Sequence, residues 1–248
     1  MVNLLNLFLV SFLPSVLGLV GGVIFLFNKK LSRILELNSI PFAAGVMITV
    51  SLLGLLPEAL ELIGEKSFLV ILLSFFTAYI FEHIFFNLHH HTEHHHDGDI
   101  KSSVPLVIFG DTIHNFIDGV AIGATYLLSP GLGIATSVST FLHEVPHEIG
   151  DFGILIKAGW TKKKVLLFNL FSALAAVVGT FSVLLFSENN LLIGTLLSVS
   201  AGIFLYLGSI DFLPHITKGF PNRFKAIIPL SLGILIMVLT LFLLPHTH

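Results

Sequence analysis

Five ionisable side chains, His143, Glu144, His147, Glu148 and Asp151, stand in nine consecutive positions of a run apolar enough to cross a membrane. Earlier in the chain Asp111, His114, Asn115 and Asp118 interrupt a second such run. An Asp facing lipid at mid-helix costs about 2.5 to 3.5 kcal/mol, so Asp118, Glu144 and Glu148 together would cost on the order of 7 to 10 kcal/mol. Groups of this kind persist only when they face one another, water or a cation. Each of them is an oxygen or imidazole donor of the sort that binds a divalent metal. The chemistry expected is coordination of a metal ion inside a membrane.

Helical spacing sharpens that expectation. At 100° per residue, Asp111, His114, Asn115 and Asp118 share an arc of roughly 100°, and the residues from His143 to Asp151 spread over roughly 140°. Side chains four apart lie about 6 Å from each other at Cβ, close enough to grip one ion. His114 with Asp118 and His143 with His147 would make a four-ligand set on facing helices. Asn115 and Glu144, each one residue further on, are rotated together and would serve a second ion, with Asp118 placed to bridge. A polar network holding helices together without metal is the plainer reading, but no Lys or Arg is present to neutralise the carboxylates. His143-Glu144-Val145-Pro146-His147 also fits H-E-x-x-H, the zinc-protease pattern, for which Asp118-Gly119 would complete an intramembrane site. Pro146 speaks against it, because it bends the helix between the two ligands.

These residues need helices to carry them. The chain has 248 residues, 54% hydrophobic and 11% charged, which is too apolar for an ordinary soluble domain. Eight runs have spanning length: 4–27, 40–62, 67–87, 104–128, 132–156, 165–186, 191–214 and 226–244. Residues 1–248 are therefore expected to form one all-α integral-membrane domain, an eight-helix bundle. Of the 12 Lys and Arg, only Lys66 falls in an even-numbered connection. The rest, Lys29, Lys30, Arg33, Lys101, Lys157, Lys162, Lys163, Lys164, Lys218, Arg223 and Lys225, fall in odd ones. Positive residues stay in the cytoplasm, so odd connections are placed inside and both termini outside. The first run has no basic flank and no small-residue cleavage site, and is expected to be a retained helix. The absence of cysteine removes disulfides and thiolate ligands.

Two echoes run through the sequence. Ala44-Gly45 and Leu56-Pro57-Glu58 recur 157 positions later as Ala201-Gly202 and Leu213-Pro214-His215. In the topology above, the second and seventh runs point in opposite directions, as in a repeat inverted in the membrane. His114-Asn115-x-x-Asp118 is echoed by His143-Glu144-x-x-His147, 29 positions on. Gly119 and Gly123, four apart, permit close approach of a neighbouring helix. The third connection, 89–103 and cytoplasmic, holds His89, His90, His91, His94, His95 and His96, a loose metal-binding composition. His91-Thr92-Glu93-His94-His95 there also fits the H-x-x-H-H box of di-iron enzymes, a pattern hard to avoid among so many histidines.

With the eight runs, the histidine-rich connection, His114-Asn115-Phe116-Ile117-Asp118-Gly119 and the His143-to-Asp151 segment, the chain resembles the ZIP (Zrt/Irt-like) family of divalent-metal transporters. The fifth run matches the subgroup pattern His-Glu-x-Pro-His-Glu-x-Gly-Asp, and the stretches at Asn169–Ala173 and Phe204–Pro214 are similar to it too. The resemblance implies uptake of Zn²⁺, Fe²⁺ or Mn²⁺ as substrate toward the cytoplasm, through a multi-pass protein of the cell membrane. It implies a binuclear site with His114, Asp118, His143 and His147 on the first metal and Asn115 and Glu144 on the second, and often a homodimer. Asp111, Glu148, Asp151, Asp211 and His215 are further candidate ligands. No catalytic cofactor, enzymatic activity or nucleic-acid partner is expected. The chain departs from the subgroup at His215, where Glu is usual. It also starts only a few residues before its first helix, where many members carry a large extracellular domain.

Overall fold

A computed structural model describes residues 3–87, 97–214 and 224–244, and among these every regular element is helical. Asn3 caps α1 (Leu4–Phe27), its side chain accepting from the backbone N–H of Leu5 and Asn6. α2 (Lys29–Val50) follows after the single residue Asn28. Asn28 closes α1 by donating its N–H to Ile24 and opens α2 by accepting from the Leu31 N–H. The connection expected ahead of residue 40 is therefore helix. Lys29, Lys30 and Arg33 made it too polar for lipid, but lipid solubility and helix propensity are separate properties, and these residues are good helix formers.

α2 passes through a π-helical segment, Ser51–Leu55, into α3 (Leu56–Ile63). The cause is Pro57, which has no N–H to donate and whose ring crowds the carbonyl four residues back. The ladder widens just before it, and the Leu56 N–H reaches Ser51 O. Farther along, α8 (Asn190–Tyr206) runs into a second π segment, Leu207–Phe212, just ahead of Pro214, with the Leu213 N–H on Gly208 O. The echoed Leu-Pro pairs thus produce the same local structure twice.

The remaining helices are α4 (Lys66–Asn87), α5 (Asp97–Leu128), α6 (Pro130–Lys157), α7 (Lys162–Val183) and α9 (Phe224–Leu243). α5 begins seven residues before the expected 104, so residues 97–103 are helix and not connection; charged Asp97, Asp99 and Lys101 hid this from a hydropathy reading. His89 to His96 and His215 lie outside the described residues.

Packing is extensive between α5 and α7, α1 and α6, α2 and α9, and α4 and α8. Exchanging α1 with α7, α2 with α8, α4 with α9 and α5 with α6 maps these pairs onto one another. Glycines make the contacts close. A Cβ on Gly45 would lie 2.4 Å from Leu230 O of α9, and one on Gly202 would lie 2.5 Å from Ile71 O of α4. The echoed glycines therefore serve echoed helix pairs.

Among the described residues, six helical stretches are long and apolar enough to cross a membrane: Leu4–Phe27, Lys29–Ile63, Lys66–Ile84, Lys162–Phe186, Asn190–Ile210 and Lys225–Leu243. α5 and α6 are outside that set, because their apolar runs are broken by the ligand-type residues. They are held centrally, where Ala121 and Ala124 of α5 and Leu132 and Ala135 of α6 join Met47, Val50, Leu197 and Phe204 in the main core.

Candidate metal centre

The site begins with the glycines that let α5 approach its neighbours. A Cβ on Gly119 would sit 1.9 Å from Ala176 O, one on Gly123 2.7 Å from Thr180 O, and one on Gly179 2.1 Å from Phe116 O. The helix that Gly119 and Gly123 admit is α7. Thr180 Oγ1 fastens it by donating to Gly119 O at 2.8 Å. On the other side, α1 presents Gly18, Gly21 and Gly22 to α6, and a Cβ on Gly18 would lie 2.6 Å from Glu144 Cβ. Both ligand-bearing helices are thus clamped at the height of their polar residues.

His143 Nε2 lies 2.9 Å from Asp118 Oδ2, and His114 Nε2 lies 3.2 Å from Glu144 Oε1 and 4.0 Å from Asp118 Oδ2. His114, Asp118, His143 and Glu144 are all buried, and each offers a ligand atom within 4.8 Å of the others. Asp111, Glu144 and Glu148 form a second group on the same criterion. Glu144 belongs to both. The geometry follows from helices running in opposite directions: from His114 back to Asp111 on α5 is one turn, and from Glu144 on to Glu148 on α6 is one turn the same way.

Two features differ from the spacing argument. The carboxylate common to both groups is Glu144, whereas Asp118 belongs to the first alone. His147 is turned aside, its ring stacked on that of His114 at 4.4 Å and tilted against Phe212 at 5.2 Å. Asn115 donates from Nδ2 to Asp111 Oδ1 at 2.9 Å and Asp111 O at 3.2 Å. Asp151 is in electrostatic reach of Asp111 and Glu144. Asp211 falls on the backbone of the π segment that follows α8.

The buried donors are undersupplied. Among the described residues, Asp111 Oδ2, Asn115 Oδ1, Asp118 Oδ1, His147 Nε2 and Glu148 Oε2 have no hydrogen-bond partner. Buried polar atoms are ordinarily satisfied, and orphaned lone pairs converging from two helices are what cations satisfy. Close His–carboxylate pairs join His114 to Asp118 and Glu144, and His143 to Asp118. The first group mixes imidazole and carboxylate, whereas the second is carboxylate alone.

Some neighbours lie in stretches that the sequence linked to the family pattern without placing them at the site. Phe204 meets the His143 ring edge-on at 5.6 Å. Ser172 stands beside Asp111 and 3.5 Å from Thr112 Oγ1. One turn before it, Asn169 is fully buried, and its Oδ1 has no hydrogen-bond partner among the described residues. An Asn three residues from a Ser in apolar α7 was the available signal.

Comparison with known proteins bears on these donors. Residues 89–241, more than half of the chain, match the family model described as ZIP Zinc transporter. A relative from Danio rerio, "Zinc transporter ZIP10", is 43% identical over 133 residues, which is 52% of this chain and 15% of that protein. "Zinc transporter ZIP4" of Homo sapiens is 42% identical over 113 residues, 46% of this chain and 18% of the relative. "Zinc transporter foi" of Drosophila melanogaster is 38% identical over 112 residues, 45% and 16%. The chain spans less than a fifth of the length of the curated relatives it matches. The matched region contains α5, α6 and the whole constellation between them, and the chain belongs to the ZIP zinc-transporter family.

Proposed function

We propose that this chain moves a divalent transition metal, Zn²⁺ foremost and Fe²⁺ or Mn²⁺ as alternatives, across the cell membrane into the cytoplasm. The observation that carries this is the pair of buried ligand groups sharing Glu144. One ion at His114, Asp118, His143 and Glu144 and another at Asp111, Glu144 and Glu148 would form a binuclear centre. Asn115, His147 and Asp151 complete its wall, and Asp211 and His215 are further candidate ligands. Transport is then ligand exchange: hydrating water gives way to imidazole and carboxylate, and returns on the far side. Mixed nitrogen and oxygen donors favour borderline ions over Mg²⁺ and Ca²⁺.

The same reading makes residues 1–248 one membrane domain of eight spans. α5 and α6 cross along with the six apolar stretches, odd connections and His89 to His96 are cytoplasmic, and both termini are outside. The exchange of helix pairs supports an inverted repeat, with the site where the repeats meet. A homodimer is the assembly to test. The reading involves no enzymatic step. The zinc-protease alternative finds no support: it needs His143 and His147 on one ion, whereas His143 faces Asp118 and His147 faces His114 and Phe212. Proteoliposomes offered a panel of divalent ions test the proposal. Saturable uptake of Zn²⁺, Fe²⁺ or Mn²⁺ is expected, and a protein that moves none of them overturns it.

A further inference from the structure

The connection between α6 and α7 carries chemistry that metal transport does not use. Lys162, Lys163 and Lys164 make up the first turn of α7, where the helix dipole is already positive. Lys162 has an internal role. Its Nζ donates to Leu26 O at the end of α1 at 3.0 Å and lies 4.6 Å from the Phe27 ring centroid. Lys163 and Lys164 are exposed, and neither forms an ion pair with a carboxylate among the described residues.

These two lysines border a shallow slot of about 360 Å³ whose other walls are Trp160, Thr161, Leu167 and Phe168. Lys164 Nζ sits 3.7 Å over the Trp160 ring, which meets Phe168 edge-on at 5.9 Å. Below the slot an exposed apolar stripe continues down one face of α7 through Leu167, Phe171, Leu174 and Val178. At 1.5 Å per residue this stripe is about 16 Å long, the scale of an acyl chain within one leaflet. Two unpaired cations, an interfacial tryptophan and an apolar track beneath them match an anionic lipid in charge and in shape.

We infer that Trp160, Lys163, Lys164 and the apolar face of α7 form a binding site for an anionic phospholipid, its phosphate at the lysines and one acyl chain along Leu167 to Val178. The inference rests on the membrane reading above. Trp160 is the sole tryptophan of the chain, so its fluorescence reports this site without labelling. The full-length protein is reconstituted in phosphatidylcholine bilayers containing an equal mole fraction of either dibrominated phosphatidylglycerol or dibrominated phosphatidylcholine. Quenching by the anionic brominated lipid should exceed that by the zwitterionic one by about twofold or more. K163Q/K164Q should remove the difference while quenching by brominated phosphatidylcholine persists, showing that the variant still inserts. K66Q/K225Q, which removes the same charge elsewhere, should preserve it.

Equal quenching of the unmodified protein by the two lipids would overturn the lipid site and leave the membrane reading intact. A preference that survives K163Q/K164Q would overturn it as well. Absence of quenching by either lipid would likewise overturn the lipid site, because Trp160 would then be covered by protein or lie outside a bilayer.

Discussion

Glu144 is the residue on which the two ligand groups depend. It is 1% exposed, shared between them, and backed by Gly18 of α1 with no room for a methyl group. Removing a ligand confined to one group should therefore differ from removing Glu144. With His114→Ala, the first group keeps three donors and the second keeps all of its own. Initial uptake should fall by at least about tenfold, equivalent to about 1.4 kcal/mol of lost coordination, while roughly one ion per chain remains bound. Glu144→Ala should lower the bound count below that of His114→Ala as well as stopping uptake. Metal analysis of the purified variants, together with uptake at matched protein abundance, checks this. Equal metal content in the two would mean that Glu144 is not shared.

At the scale of helices, the glycines separate into those that carry a contact and those that do not. Gly119 has Ala176 O where its Cβ would be, so Gly119→Ala must push α5 from α7 and should lower the thermal transition in detergent by several degrees. A Cβ on Gly150 meets nothing within 4 Å, and Gly150 lies inside α6. Gly150→Ala should therefore stabilise by about 0.5–1 kcal/mol through helix propensity alone. Thermal melts of the two variants side by side make the test. The clustering of these carboxylates and imidazoles was legible in the sequence, because such groups are too costly in apolar runs to stand there without a cation or a polar partner. The close approach at Gly119 and Gly123 was legible too, as spacing on one helix. What escaped was relational. A helical wheel gives angles around one axis and no distances across two, so it could not show that Glu144 stands in both groups or that the His147 ring stacks on His114. Hydropathy reads solubility in lipid, and so it missed the polar first turns of α2 and α5. The π segments follow from Pro57 and Pro214, but how a ladder accommodates proline depends on what packs around it.

For the molecule as a whole, the distribution of cations makes orientation testable. The chain contains no cysteine, so single-cysteine variants report sidedness without background. In intact cells a membrane-impermeant maleimide should label Lys66→Cys, and should label Lys163→Cys only after permeabilisation. The reverse pattern would invert the topology and turn uptake into export. Deleting residues 89–96, which belong to a connection in that topology, should leave initial uptake within a few-fold of the intact protein at equal expression. Imidazoles there lose metal as they protonate near their reference pKa of about 6.5, which suits a transient acceptor on the receiving side. Abolished uptake on deletion would place these residues in the pathway.

The partnership of early helices with late ones sets the order in which the protein can be completed. α1 emerges from the ribosome with Gly18, Gly21 and Gly22 uncovered and must wait for α6. α4 waits for α8, and the Gly45 face of α2 stays bare until α9 has been made. The early helices cannot finish their own packing, so synthesis leaves several inserted helices without their permanent neighbours until α9 arrives. A messenger that stops short of residue 224 would yield an inserted but unclosed bundle, and quality-control proteases that survey the bilayer for loose helices would have α2 as their first target.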